Sequence, residues 1–192
     1  MEQIEFIEIE HKYLMPESYN PSEFIKKVLS LQPNSKSEVD VQDTYYLCSS
    51  NPKHIYRHRL DSEIQQLTLK GLTDDPETRL EVNLDLGLHK GSQSSRVKAF
   101  LRPLGIQWSG VIEKKVWAYY FPNCEVVYYE ARYKDKSVRC IEIEAVNSKS
   151  IEAGKSVIHD FENQLGLDPE GRCHESLYHL LLSSDVKASL GT

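Results

Sequence analysis

Polar and apolar side chains alternate with a period of two through several short stretches of this chain, and in most of them charged residues are among the polar members. The pattern is plainest at the start, where Ile7, Ile9 and Tyr13 fall on one face of a strand over residues 4 to 14, and Glu8, Glu10 and Lys12 on the other. The same reading places strands near residues 43 to 47, 55 to 60, 65 to 69, 78 to 86, 111 to 121, 125 to 133 and 138 to 146. The breaks are short and rich in turn formers: Ser49-Ser50-Asn51-Pro52, Asp61-Ser62, residues 71 to 76, and Lys134-Asp135-Lys136-Ser137. Parallel crossovers need a dozen or more residues, so the strands must run antiparallel. About eight strands are enough to close a barrel.

Helices are expected between and after them. Asn20 can cap the first, with Pro21 in its opening turn, Glu23 three residues past the cap, and Phe24, Ile25, Val28 and Leu29 as its apolar stripe. A second spans residues 92 to 104 with Gly105 beyond its end and Pro103 weakening its last turn. A third covers residues 151 to 165, closed by Gly166, and the tail from 175 to 190 is also read as helical. The expected fold class is therefore α+β: an eight-stranded antiparallel closed β-barrel flanked by amphipathic helices, residues 1 to 192 forming one domain.

A half-buried sheet with a solvated face would account for any single strand. It accounts poorly for the set, because like charges recur at i, i+2 on separate strands: Glu8 with Glu10, Glu142 with Glu144, and Arg57 with Arg59. Neighbours so close repel unless an opposite charge lies between them. For the glutamate pairs a divalent cation serves, and oxygen donors suit Mg2+ or Mn2+. For Arg57, Arg59, Lys12, Lys70 and Lys114 a polyanion serves, since phosphoryl oxygens match guanidinium forks and ammonium donors. The charged faces are then expected to point into the barrel and the apolar faces outward under the helices, an arrangement opposite to that of most soluble barrels.

Composition narrows the partners. The chain has 192 residues and a net charge of −6, with 40% hydrophobic and 27% charged residues, so it lacks the bulk basic field that long nucleic acid requires. Cys48, Cys124, Cys140 and Cys173 are scattered without a C-x-x-C pair, which argues against a zinc site or a disulfide framework and for reduced cytoplasmic thiols. No apolar run approaches the roughly 20 residues of a membrane helix, and the first residues include Glu2 and Glu5, so neither membrane insertion nor secretion is expected. Association as a homodimer is left open.

In order along the chain, Glu8-Ile9-Glu10-His11-Lys12, Asp43-Thr44-Tyr45-Tyr46, Arg57-His58-Arg59, Leu67-Thr68-Leu69-Lys70-Gly71, Arg79-Leu80-Glu81 and Glu142-Ile143-Glu144 resemble the motifs of the CYTH superfamily. This superfamily, also called the triphosphate tunnel metalloenzymes, takes its name from class IV adenylyl cyclase and thiamine triphosphatase. The resemblance implies that Glu8, Glu10, Glu142 and Glu144 hold metal and carry catalysis, with Glu81 and Glu130 in the same acidic set. It implies that Lys12, Arg57, Arg59, Lys70, Arg79 and Lys114 grip a triphosphate. Asn83 replaces a further Glu of many members, Glu113-Lys114-Lys115-Val116 replaces K-x-R, and Glu130 replaces the more usual Asp.

The expected activity is metal-dependent hydrolysis of inorganic triphosphate or a small organic triphosphate. The alternative is cyclisation of ATP to cyclic AMP, and a non-catalytic polyphosphate-binding module is a third reading. Cyclases of that group begin with a His-Phe pair where this chain has Glu2-Gln3, which favours hydrolysis. His11 falls on the outward face, Trp108 and Trp117 read as packing, and Lys187 reads as a solvated lysine.

Overall fold

The computed structural model describes residues 6 to 72, 75 and 77 to 191. Glu2-Gln3 and part of the turn at residues 71 to 76 lie outside the described residues. The strands are β1 (Ile7–Met15), β2 (Ser35–Cys48), β3 (His54–Leu60), β4 (Gln65–Gly71), β5 (Thr78–Asp85), β6 (Ile106–Tyr120), β7 (Cys124–Tyr133) and β8 (Lys136–Ala145). They close into a barrel in the order β1-β5-β4-β3-β2-β6-β7-β8, every neighbour antiparallel. Two hairpin-connected meanders, β2 to β5 and β6 to β8, join through the long β2–β6 ladder. The first strand closes the ring. Its Ile7–Ile9 half pairs with β5 and its Glu10–Met15 half pairs with β8, so both meanders are stitched to one segment.

Two strands are longer than the sequence indicates. Residues 35 to 40 of β2 are mostly polar and lack a strand pattern, and they are extended because residues 115 to 120 of β6 offer them a ladder. Tertiary pairing here overrides weak local propensity. The second helix is shorter than expected: α2 (Ser94–Leu101) gives way to a 3-10 turn over Arg102–Leu104, where Pro103 removes a helical donor, and Gly105 ends it at φ 73°. The other helices are α1 (Ser22–Ser30), α3 (Ile151–Leu165) and α4 (Ser183–Leu190), the last preceded by a π-helical turn over Tyr178–Leu182. Asn20 Oδ1 accepts from the Ser22 N–H at 3.0 Å, and Ser150 Oγ caps α3 through the Ala153 N–H at 3.1 Å.

Three apolar clusters hold these layers. The outward residues Ile9, Tyr13, Val126, Tyr128, Ile141 and Ile143 pack under Phe24 and Val28 of α1 and Ile158 and Leu165 of α3. Outward Tyr46, Cys48 and Leu67 pack under Val97 and Leu101 of α2. The helical cover is incomplete, since Leu80 and Leu84 on the outer face of β5 are 36% and 55% exposed. The third cluster is inside: inward Tyr45, Ile55, Ile112, Tyr129, Ala131 and Cys140 pack with Leu177, Leu181, Leu182 and Val186. The barrel interior is thus polar through its middle and apolar at the end that the C-terminal segment enters. All four cysteines are free. Among the described residues no helix is long and apolar enough to cross a membrane.

A buried polar cluster fixes α3 to the closing strand. Glu162, fully buried on α3, accepts from Tyr13 Oη at 2.6 Å and from Arg172 Nε and Nη2 at 2.9 and 2.7 Å, and lies 2.7 Å from His11 Nδ1. The opposing charges and hydrogen bonds outweigh burial and hold its pKa at about 2. Removing one member of such a buried pair strands the other. Glu162→Ala is expected to lower the unfolding free energy by about 3–5 kcal/mol in urea denaturation. A loss near zero would show that the cluster is solvated.

Candidate functional site

Strand register decides which side chains share the interior. Inward residues line a cavity of about 790 Å³ that includes Glu8, Glu10, Lys12, Arg57, Arg59, Lys70, Arg79, Glu81, Lys114, Glu142 and Glu144. Every sequence-selected site residue except Glu130 is therefore brought to one place. Glu130 is the correction: on β7 the inward residues are Glu125, Val127 and Tyr129, and Glu130 points outward, where it accepts from Tyr128 Oη at 3.0 Å and Arg139 Nε at 3.2 Å. The strand period gives two faces, and the β7–β8 register puts the even one outside. His11 is outward, as the alternation requires.

Ion pairs tie the cavity walls together. Arg79 bridges Glu8 and Glu10, and Lys70 bridges Glu8, at 3.0 Å, and Glu81. Lys12 lies 3.2 Å from Glu10 and 3.1 Å from Glu142, whose Oε1 also accepts from Tyr129 Oη at 2.8 Å. Arg57 donates to Thr68 Oγ1 at 3.1 Å and lies 3.5 Å from Glu81. Asp43 takes both prongs of Arg59 at 2.9 Å and Lys114 at 2.8 Å.

These pairs sort the carboxylates into two kinds. Burial alone would raise all of them, but Lys70 and Arg79 hold Glu8 well below the usual range, and Arg59 and Lys114 do the same for Asp43. Burial at Glu142 is outweighed by Lys12, Lys114 and the Tyr129 hydroxyl, which bring it to about 2. Glu144 goes the other way. Burial, then the like charges of Glu8, Glu125 and Glu81, push it well above the carboxylate range. Burial likewise raises Glu125 to about 7, Arg59 offsetting only part of the effect. Neither Glu144 nor Glu125 forms an ion pair among the described residues.

The uncompensated acids are neighbours. Glu10 faces Glu144 across β1–β8, and Glu144 faces Glu125 across β8–β7, so three carboxylates stand in one row on adjacent strands. Among the described residues no three His, Cys, Asp or Glu groups converge as a ready cation cage. Arg79 and Lys12 occupy the Glu10 oxygen that would complete one. In donor chemistry the row fits a hard divalent cation, which favours carboxylate oxygens and would relieve the charge that now suppresses ionisation of Glu144 and Glu125.

The sequence reading left Asp43, Thr68, Glu125 and Tyr129 out of the site. Asp43 lies in the Asp43-Thr44-Tyr45-Tyr46 motif, two residues from Tyr45 and therefore on the same strand face. For Glu125 alternation gives no sign, because β7 carries polar groups on both faces.

No protein-family profile and no curated protein matches the chain. Solved structures do share its fold. The PH1012 protein of Pyrococcus horikoshii has a TM-score of 0.73 at 22% identity, over 91% of this chain and 99% of its own. A candidate adenylate cyclase from Bacillus halodurans has a TM-score of 0.61 at 16% identity, over 93% and 98%. HpAC1 from Hippeastrum, described as a candidate adenylyl cyclase with a dominant triphosphatase activity, has a TM-score of 0.56 at 16% identity, over 92% and 96%. At these identities the likeness is one of fold. The closed eight-stranded antiparallel barrel is the fold that the resemblance of the sequence motifs implies.

The raised carboxylates have a consequence for stability. Folding holds Glu125 protonated to about pH 7, whereas its ordinary value is 4.5, so its contribution is complete below about pH 4.5 and is lost as pH rises through 7. Glu144 acts in the same direction. With chelator present, the melting temperature is expected to fall across this window, and Glu125→Gln to reduce the fall. Mg2+ is expected to stabilise the protein more at about pH 8 than at about pH 5, since the cation competes with these protons. A Mg2+ effect equal at both pH values would contradict the cation assignment.

Proposed function

We propose that the protein is a metal-dependent triphosphatase that cleaves the terminal phosphoryl group of a triphosphate within the barrel. The observation carrying this reading is the opposition of two arrays in one cavity: Lys12, Arg57, Arg59, Lys70, Arg79 and Lys114 on its walls, and the Glu10–Glu144–Glu125 row, of which Glu144 and Glu125 have no ion-pair partner among the described residues. The shared fold with HpAC1 supports it.

Phosphoryl transfer depends mainly on positioning and charge stabilisation. Arg57 and Arg59 are held from below by Thr68 and Asp43, so their guanidinium groups are oriented before a phosphate arrives. Lys12 and Lys70 are kept charged: burial opposes this, but Glu142 outweighs it for Lys12, and Glu8 and Glu81 for Lys70. Each donor then offers a full positive charge to the phosphate oxygens where surrounding protein replaces water. A divalent cation, Mg2+ or Mn2+, held by Glu10, Glu144 and Glu125 with Glu8 and Glu142 beside them, would draw charge from the transferring group and acidify the attacking water. Glu144 and Glu125, when deprotonated, would be the carboxylates in this row free to accept a hydrogen bond from a water.

A second reading rests on the shared fold with the Bacillus halodurans protein: ATP could be cyclised in the same cavity, its 3′-hydroxyl attacking the α-phosphate. A panel of inorganic triphosphate, thiamine triphosphate, ATP and long-chain polyphosphate with Mg2+ and Mn2+ separates the two. Phosphate release without matching cyclic AMP is expected, and cyclic AMP equal to or above phosphate release would overturn the hydrolase assignment. Glu8→Ala and Glu144→Ala are expected to abolish turnover with the fold intact by circular dichroism. Arg57→Ala is expected to lower kcat/KM by roughly 100-fold, the usual scale for one charge-stabilising donor. Unchanged turnover in the glutamate variants would sink the metal assignment.

A further inference from the structure

On the outside of the barrel, β5 presents an apolar face that no helix of the chain covers. Where the outer faces of β2 and β6 lie open, they carry Asp40, Gln42, Glu113 and Lys115. On β5 the outward residues are Leu80, Val82 and Leu84, the last 55% exposed. This strip adjoins α2, because Leu84 pairs with Leu67, and Leu67 packs under Val97 and Leu101. At about 100° per residue, a helix that turns Val97 and Leu101 inward turns Arg96, Lys98, Ala99 and Phe100 to its sides and top. All four are exposed, and Phe100, at 66%, is the most exposed large apolar side chain among the described residues. Apolar side chains grouped in this way mark a contact surface.

The charge around the strip differs from that of the rest of the chain. With 29 acidic residues against 23 basic, the chain still has no Asp or Glu between Asp85 and Glu113. That stretch holds Lys90, Arg96, Lys98 and Arg102, all exposed and none in an ion pair among the described residues. Exposed cations elsewhere do find carboxylates, Lys115 with Glu38 and Lys134 with Asp185. At the end of β5, Asp85 is exposed and also lacks a cation. It cannot meet Arg102 of its own chain. The start of α2 lies beside the end of β5, where Gln65 donates to the Gly91 carbonyl at 2.9 Å and accepts from the Gln93 N–H at 2.7 Å, and Asp85 pairs with Gln66. Arg102 follows the other end of the helix, near which Ser50 Oγ donates to the Leu104 carbonyl at 2.8 Å.

We propose that this face is the docking surface for a second copy of the chain, in a two-fold dimer that lays α2 of each copy along β5 of the other. The helix that β5 lacks is then supplied by the partner. A two-fold axis normal to the face sets the two β5 strands antiparallel and makes the contact self-complementary. Phe100 becomes an apolar anchor on the partner's Leu80 and Leu84, and the surrounding cations become its polar rim. The same rotation brings the Arg102 end of α2 to the partner's Asp85, so charges left unpaired in one chain are matched between two. A partner of uniformly negative charge would suit α2 but repel Asp85, whereas a second copy suits both. No side chain of the chamber takes part, so the inference is independent of the triphosphatase reading.

Sedimentation equilibrium of the purified protein tests it. Wild type is expected to sediment at twice the 22.1 kDa of the chain at about 10 µM. Leu84→Asp and Phe100→Asp, both at exposed positions, are each expected to sediment as monomers with an unchanged circular dichroism spectrum. Arg102→Glu is expected to weaken the dimer by about tenfold or more, because a two-fold contact loses the pair twice. Lys115→Glu, four strands away around the barrel, is expected to leave it within about twofold. Wild type that stays monomeric at about 0.1 mM overturns the proposal. So does a dimer indifferent to Leu84→Asp and Phe100→Asp. Equal weakening by Arg102→Glu and Lys115→Glu overturns it too, since net charge and not this face would then govern association.

Discussion

Closing the barrel with β1 forces charge compensation. Glu8 and Glu10 enter the interior between β5 and β8, where Arg79 of β5 reaches both and Lys70 of β4 reaches Glu8 and helps to hold it as a carboxylate. An isolated buried carboxylate would simply take up a proton. The contrast lies within the same chamber: Glu8, Asp43 and Glu142, each beside a cation, are pushed down, while Glu144 and Glu125, without one, are pushed up. The ion pairs are thus part of the fold, and the unpaired Glu144 and Glu125 are the part of the chamber left for something else to neutralise.

An interior of this kind needs its hydrophobic core elsewhere. The outward faces of β1, β7 and β8 bury against α1 and α3, and those of β2 and β4 against α2, so two of the three apolar clusters lie outside the ring. Glu162 extends this outer layer with a polar clamp on His11 and Tyr13, the residues flanking Lys12. The Cys173 N–H donates to the Lys12 carbonyl at 2.7 Å, and beyond it the chain turns in to pack Leu177 and Leu181 at the barrel end. One strand therefore links the outer core, the closing segment and the charged chamber. A chamber built on strands in this way holds its donors in place without depending on loops.

Much of the site was legible because a strand has a period of two and like charges at i, i+2 demand an explanation. That argument found Glu8, Glu10, Arg57, Arg59, Glu142 and Glu144 strand by strand. It failed on β7, where Glu125 and Glu130 lie on opposite faces and nothing local says which face is inside. It also passed over Asp43, whose importance lies in partners on β3 and β6 that are distant in sequence. The early part of β2 was missed as a strand for a related reason: its residues are extended by the ladder offered from β6, not by their own preference.

Alternation, turn residues and helix caps are written in consecutive residues, so the sequence by itself determined the antiparallel strands, the helices, and the gathering of carboxylates and cations on one face of each strand. The register between strands arises from contacts across the whole chain. The tertiary structure alone decided that Glu10, Glu144 and Glu125 share a row and that Glu130 is outside. A shift of one residue in any ladder would have exchanged those faces without changing the local pattern.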